Sequence, residues 1–121
     1  MKMAEEIVNA VPCAEKVRFT SSGTEADLQA IRIARAFRRQ DKVLKFEGGY
    51  HGTSDYGWVS INHTDTPEFP YAAIPESAGI PRDALNLVLV APFNDLDTTT
   101  AIIDAHHEAI QATKPGWAGT G

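Results

Sequence analysis

The sequence predicts an α/β protein built on a parallel sheet flanked by helices, and three observations carry that prediction. A strand pattern at Val17-Arg18-Phe19-Thr20 turns through Ser21-Ser22-Gly23-Thr24 into a long amphipathic helix and then into a second strand, Lys42-Val43-Leu44-Lys45-Phe46. The second strand ends in Glu47-Gly48-Gly49-Tyr50-His51-Gly52, whose three glycines mark a tight turn. Further on, Leu87-Val88-Leu89-Val90-Ala91 is a continuous apolar run between Asn86 and Pro92, as in a strand covered on both faces.

Taken in order, Met3 to Ala10 carries a short helical pattern around Ile7 and Val8 that Pro12 closes. The main helix is expected from Gly23 to Arg39, with Ala26, Ala30, Ile33, Ala34 and Phe37 at spacings of three and four as its buried face. Its charges suit the helix dipole: Glu25 and Asp27 in the first turn, Arg35, Arg38 and Arg39 in the last. From Thr53 to Ala84 the pattern weakens under Pro67, Pro70, Pro75 and Pro81, which predicts a long surface segment with a short strand at Trp58-Val59-Ser60-Ile61. Asn94-Asp95-Leu96-Asp97 is placed to cap a last helix over 98–112, with Ala101, Ile102, Ala105, Ala109 and Ile110 as candidate buried positions. Residues 113–121 have no periodicity.

Composition narrows the function classes. A chain of 121 residues, 43% hydrophobic and 22% charged, is an ordinary globular sequence and not a disordered, collagen-like or disulfide scaffold. The net charge of −5 argues against binding the nucleic-acid backbone, which needs clustered Lys and Arg. Residues 1–50 carry +2 and residues 51–121 carry −7, and all four histidines lie in the acidic part. Cys13 is the single cysteine, so no internal disulfide forms. Glu5 and Glu6 stand where a signal peptide needs its apolar centre, and no apolar run reaches membrane-spanning length, so a cytoplasmic location is expected. Three strand signals and two substantial helices are few for a parallel sheet, so the chain is expected to be part of a larger fold.

Two segments could carry chemistry. A strand that ends in Ser22-Gly23-Thr24 at the start of a long helix offers unpaired backbone N–H groups, hydroxyl donors and the positive dipole end to an anion. Taken alone, Ser22-x-x-Glu25 reads as a capping box, the commoner use of that spacing. The second segment is the Tyr50 turn. Ligands of open α/β sheets bind beyond the carboxyl ends of the strands, so both turns are expected on one edge, with Tyr50 free to stack on a planar ring whose phosphate sits at Gly23 and Thr24. Each segment alone also reads as plain turn chemistry; the pair in this order is more specific.

Residues 17–26, Ala30-Ile31-Arg32-Ile33-Ala34-Arg35, residues 42–52 and Ala91-Pro92-Phe93-Asn94-Asp95 together resemble the class III pyridoxal-phosphate aminotransferases, most closely the glutamate-1-semialdehyde aminomutase branch. The resemblance implies part of the large domain of the fold type I architecture, a mostly parallel sheet flanked by helices, in a homodimer acting on a small amino acid or amine. It implies pyridoxal 5'-phosphate as cofactor, with Ser22, Gly23 and Thr24 as the phosphate-binding turn, Tyr50 stacking on the pyridine ring and His51 beside it. On this reading residues 1–121 are an incomplete large domain with its core over 15–112, a mobile loop over 53–84 similar to the branch's active-site gate, and an irregular tail over 113–121. At Ser21 the family commonly has Asn. The family's Schiff-base lysine and the acid paired with the pyridine nitrogen lie further along than this sequence extends. None of Lys2, Lys16, Lys42, Lys45 and Lys114 stands in a matching context, and Lys45 reads as a strand-edge or solvent-facing residue. No catalytic residue is therefore expected in this chain, and taken alone it is expected to be inactive.

Other residues promise less. His106 and His107 are adjacent on a helix and point about 100° apart, too far to chelate one ion together; Asp104 with His107 lacks a third ligand. Cys13 reads as a small apolar filler, and Asn62-His63-Thr64 fits a glycosylation sequon that a cytoplasmic chain would not use. Two alternatives to the enzyme fragment stand beside it: a non-catalytic module that binds phosphorylated aromatic ligands or pairs with related subunits, and a truncated product whose exposed sheet edge drives self-association.

Overall fold

The computed structural model describes residues 2–62 and 72–111, with the side chains of 108–111 left aside. Its elements are α1 (Lys2–Ala10), α2 (Gly23–Arg38), β1 (Val43–Phe46), α3 (Arg82–Leu85), β2 (Val88–Ala91) and α4 (Leu96–Gln111). The two strands pair in parallel, Val43 opposite Val88 and Phe46 opposite Ala91, so their carboxyl ends share one edge. The Glu47 amide donates to the Ala91 carbonyl at 2.8 Å and carries the ladder into the following turn. The core lies on the β2 side, where Val88, Val90 and Ala91 are buried with Ile102 of α4. The α/β class predicted from sequence stands, with β1, β2, α1, α2 and α4 within two residues of their expected bounds.

Helix α2 begins and ends as its sequence dictates. Ser22 is the N-cap in extended backbone, its hydroxyl accepting the Glu25 amide at 3.2 Å, while the Glu25 carboxylate accepts the Ser21 amide at 2.9 Å. This is a capping box displaced by one residue, since the carboxylate meets the amide before the cap and not that of the cap itself. At the far end Arg39 turns left-handed (φ 55°) and its amide closes on the Arg35 carbonyl. Helix α4 is capped likewise: Asp95 accepts the Thr98 amide at 3.0 Å and its hydroxyl at 2.7 Å.

Five expectations are corrected. Residues 17–20 form no strand among the described residues, because a strand exists through a ladder partner and β1 pairs only with β2 there. Residues 58–61 amount to one antiparallel bridge, Val59 to Pro75, because Ser60 turns left-handed (φ 47°) and breaks the run. The face of α2 expected to be buried is exposed, with Phe37 85% and Ile33 63% accessible and Ala26, Ala30 and Ala34 also open. The helix instead turns Leu28, Ile31 and Arg35 toward Tyr56, whose ring centre lies 4.2 Å from the Arg35 guanidinium. Cys13 is exposed and fills no core. On α4, Ile102 is buried but Ala101 and Ala105 are exposed; Ala109 and Ile110 lie outside the side chains described, as residues 63–71 and 112–121 lie outside the described residues altogether. Helix α3, one turn after Pro81, was not anticipated. No helix among the described residues is long and apolar enough to cross a membrane.

Candidate functional site

The two glycine-bearing turns meet. The Thr24 hydroxyl, in the first turn of α2, accepts the Thr53 amide at 3.2 Å. Gly52 lies against the same residue: a Cβ built on it would stand 2.5 Å from Thr24 Oγ1 and 2.8 Å from Thr24 Cα, and Gly52 adopts φ +84°. Both reasons require glycine there. The amino end of α2 and the turn that follows β1 are thus one locus at the carboxyl edge of the sheet, as the order of the two segments predicts.

The helix end of this locus is open. A Cβ on Gly23 would meet nothing within 4 Å. Among the described residues neither the Gly23 nor the Thr24 amide donates to an acceptor, as befits the first turn of a helix. The hydroxyls of Ser22 and Thr24 each accept a backbone amide, which leaves the proton of each free to donate. Two amides and two hydroxyl protons stand at the positive end of a 16-residue helix beside the open position at Gly23, a donor set suited to a phosphate. The nearby carboxylate of Glu25 is turned back onto the Ser21 amide.

The Tyr50 turn is held from beneath. Gly48 takes φ 75° and its amide donates to the Ser60 carbonyl at 2.9 Å; the Gly49 amide donates to the Phe46 carbonyl at 3.2 Å. Tyr50 is 63% exposed, so its ring is available to a ligand. His51 is exposed but folds back, since its Nε2 would lie 2.9 Å from a Cβ on Gly49, and its carbonyl lies 2.5 Å from the corresponding position on Gly57. Across the edge Phe93, after β2, meets Phe46 edge to face at 6.0 Å.

Lys45 is the residue that sequence reasoning placed wrongly. It is 5% exposed, and its ammonium donates to the carbonyls of Gly49 (2.9 Å), Val59 and Ser60 (3.5 Å). Burial pushes its pKa below the usual 10.5, opposed by the negative charge of Glu76. Glu76 in turn accepts the amides of Ile61 (2.8 Å) and Asn62 (3.2 Å), which hold its carboxyl below the usual 4.5. The signal in the sequence was a lysine inside an otherwise apolar strand, which needs carbonyl or carboxylate partners if both faces are covered. Lys42, at the other end of that strand, lies 3.3 Å from Nδ1 of His106. Among the described residues no three His, Cys, Asp or Glu side chains are grouped to hold a metal.

Comparison with known proteins shows what the chain is similar to. The class-III aminotransferase family profile matches residues 1–119. A glutamate-1-semialdehyde 2,1-aminomutase of Methanothermobacter thermautotrophicus is 44% identical over 110 residues, 91% of this chain and 25% of that protein. The protein of the same name from Acidobacterium capsulatum is 44% identical over 108 residues, 89% of this chain and 24% of its own length. Among solved structures, an omega-transaminase from Sphaerobacter thermophilus superposes with a TM-score of 0.82 at 39% identity, over 91% of this chain and 26% of its own. A transaminase with PLP bound superposes with a TM-score of 0.77 at 31% identity, over 87% of this chain and 24% of its own. The chain spans about a quarter of the length of these relatives.

Proposed function

The chain belongs to the class-III aminotransferase family, and from that premise we propose that it carries the phosphate-binding and ring-stacking part of a pyridoxal-phosphate site. The observation that carries this reading is the junction of Thr24 with Gly52 and Thr53, which joins the open amino end of α2 to the Tyr50 turn. The phosphate would be held by the Gly23 and Thr24 amides and by the hydroxyl protons of Ser22 and Thr24. Tyr50 would cover one face of the ring and shield it from water, and His51, packed back on Gly49, would flank the same turn. When bound, the cofactor supplies an electron-poor ring that accepts the electron pair released at the amino-bearing carbon of a substrate. Every step assigned to this chain is binding and orientation. The reaction of the whole enzyme moves an amino group between small molecules or within one, as the names of the relatives suggest.

The five lysines of this chain bear no covalent role in this reading. Lys45 is engaged by three carbonyls and Lys42 faces His106, so neither is free to reach a ligand at Tyr50. Borohydride reduction of the chain with pyridoxal phosphate, followed by peptide mass mapping, should give no single stoichiometric lysine adduct; one such adduct contradicts the assignment. For the binding role, pyridoxal phosphate should bind saturably to the chain and be weakened at least tenfold by Gly23→Val, which fills the cradle. Tyr50→Ala should cost about 1 kcal/mol of affinity, the scale of an aromatic stacking contact. No binding up to millimolar ligand would overturn the proposal.

A further inference from the structure

We propose that the buried ammonium of Lys45 is a positioning group for the Tyr50 turn, tying the carbonyl next to Tyr50 to the backbone of residues 59–60. The inference rests on the reading of Tyr50 given above, and deepens it by naming what sets that ring's place. Gly49, whose carbonyl Lys45 takes at 2.9 Å, immediately precedes Tyr50, while the other two acceptors belong to Val59 and Ser60. Val59 is wholly buried and Ser60 4% exposed, so one end of the tie is fixed in the protein interior. Ser60 is itself held by a ring of bonds: its amide donates to the Ile74 carbonyl at 2.8 Å, its hydroxyl accepts the Ile74 amide at 3.0 Å, and its carbonyl accepts the Gly48 amide at 2.9 Å.

The choice of residue follows from the acceptors. Three carbonyls face one slot, and a cationic donor with at least three protons satisfies them together; an apolar side chain there would leave the Gly49 and Val59 carbonyls without a hydrogen-bond partner among the described residues and the Ser60 carbonyl with the Gly48 amide alone. The charge costs desolvation, visible in the lowered pKa of Lys45, and Glu76 offsets part of that cost while fastening Ile61 and Asn62 from the other side. Residues 59–62 are thus gripped through their carbonyls by a lysine and through their amides by a glutamate. Tyr50, itself 63% exposed, takes its position from this grip.

The test uses the 121-residue chain and two independent readouts, amide hydrogen exchange and binding of pyridoxal phosphate. Lys45→Met keeps the stem and removes the donor. It should raise exchange at the Gly48 and Ser60 amides at least tenfold while that of α4 amides such as Ile102 stays within twofold. It should also weaken pyridoxal phosphate about as much as Tyr50→Ala, and in the Tyr50→Ala background it should weaken it no further. Lys45→Arg, which restores a cationic donor, should recover most of the protection; if Lys45→Met does not fold, Lys45→Arg with protection at Gly48 and Ser60 within threefold of wild type supports the proposal. A uniform rise in exchange across the chain, additive losses in the double variant, or loss of protection in Lys45→Arg overturns it. Should the wild-type chain bind no pyridoxal phosphate while the exchange pattern holds, the cofactor reading fails and the positioning of the turn stands.

Discussion

Thr24 and Gly52, 28 positions apart, touch so closely that a single added methyl would strike both the hydroxyl and the Cα of the threonine. This contact converts two ordinary turns into one site, and it separates two glycines that the sequence presents as equivalents. Gly52 is held by crowding and by its positive φ, Gly23 by neither.

The two should therefore respond in opposite ways to the same substitution. Gly52→Ala should destabilise the chain by roughly 2 kcal/mol or more, through left-handed strain and the forced separation of Thr24. Gly23→Ala should be neutral or stabilise by about 0.5–1 kcal/mol, because alanine suits a helix and meets open space. Both should weaken pyridoxal phosphate. Urea melts beside a binding titration separate the two effects.

Ser22→Ala removes the side-chain acceptor of the Glu25 amide and should cost about 1 kcal/mol. Ser22→Asp restores the cap but places a carboxylate at the mouth of the anion cradle. Its melting temperature should stay near wild type while its affinity for the phosphate falls, and the pair of measurements tells capping from ligand binding at one position.

Glu76 and Asp95 both have carboxyls held below their ordinary values by amide and hydroxyl donors. A carboxyl lowered in the folded state contributes stability that is complete above its unfolded value and is lost as pH falls through the folded one. Stability should thus decline as pH drops from 5 toward 3, using unfolded values of 4.5 for Glu76 and 3.8 for Asp95. Glu76→Gln and Asp95→Asn should each flatten that decline, as followed by denaturant melts at several pH values.

Burial sets which apolar residues matter for this chain. Val59 is 0% exposed, and Val59→Ala should cost about 1.5–3 kcal/mol. Phe37, at 85% exposure, should tolerate Phe37→Ala within about 0.5 kcal/mol although the helical periodicity marks it as a core position. Thermal melts of the two variants rank them directly.

Much of this was legible in the amino acids. Local rules, which depend on neighbours in sequence, placed α2 between Ser22 and Arg39 and the end of β1 before the paired glycines. The two turns do meet, as their order in the chain suggests, but through the contact of Thr24 with Gly52 and Thr53 and not through a strand at residues 17–20. What escaped depends on distant partners. Residues 17–20 look like a strand but pair with none described, and the apolar row of α2 has no described surface to cover it. The burial of Lys45 rests on carbonyls 14 and 15 residues away, which no spacing rule announces.

The central claim is that the open end of α2 holds a phosphate whose ring lies at Tyr50. Equilibrium dialysis of the chain with pyridoxine 5'-phosphate, which lacks the aldehyde and so reacts with no lysine, tests it most directly. The account predicts saturable one-to-one binding, at least tenfold weaker for pyridoxine without the phosphate and lost in Gly23→Val. Equal affinity for the two compounds, or binding unchanged by Gly23→Val, would contradict it.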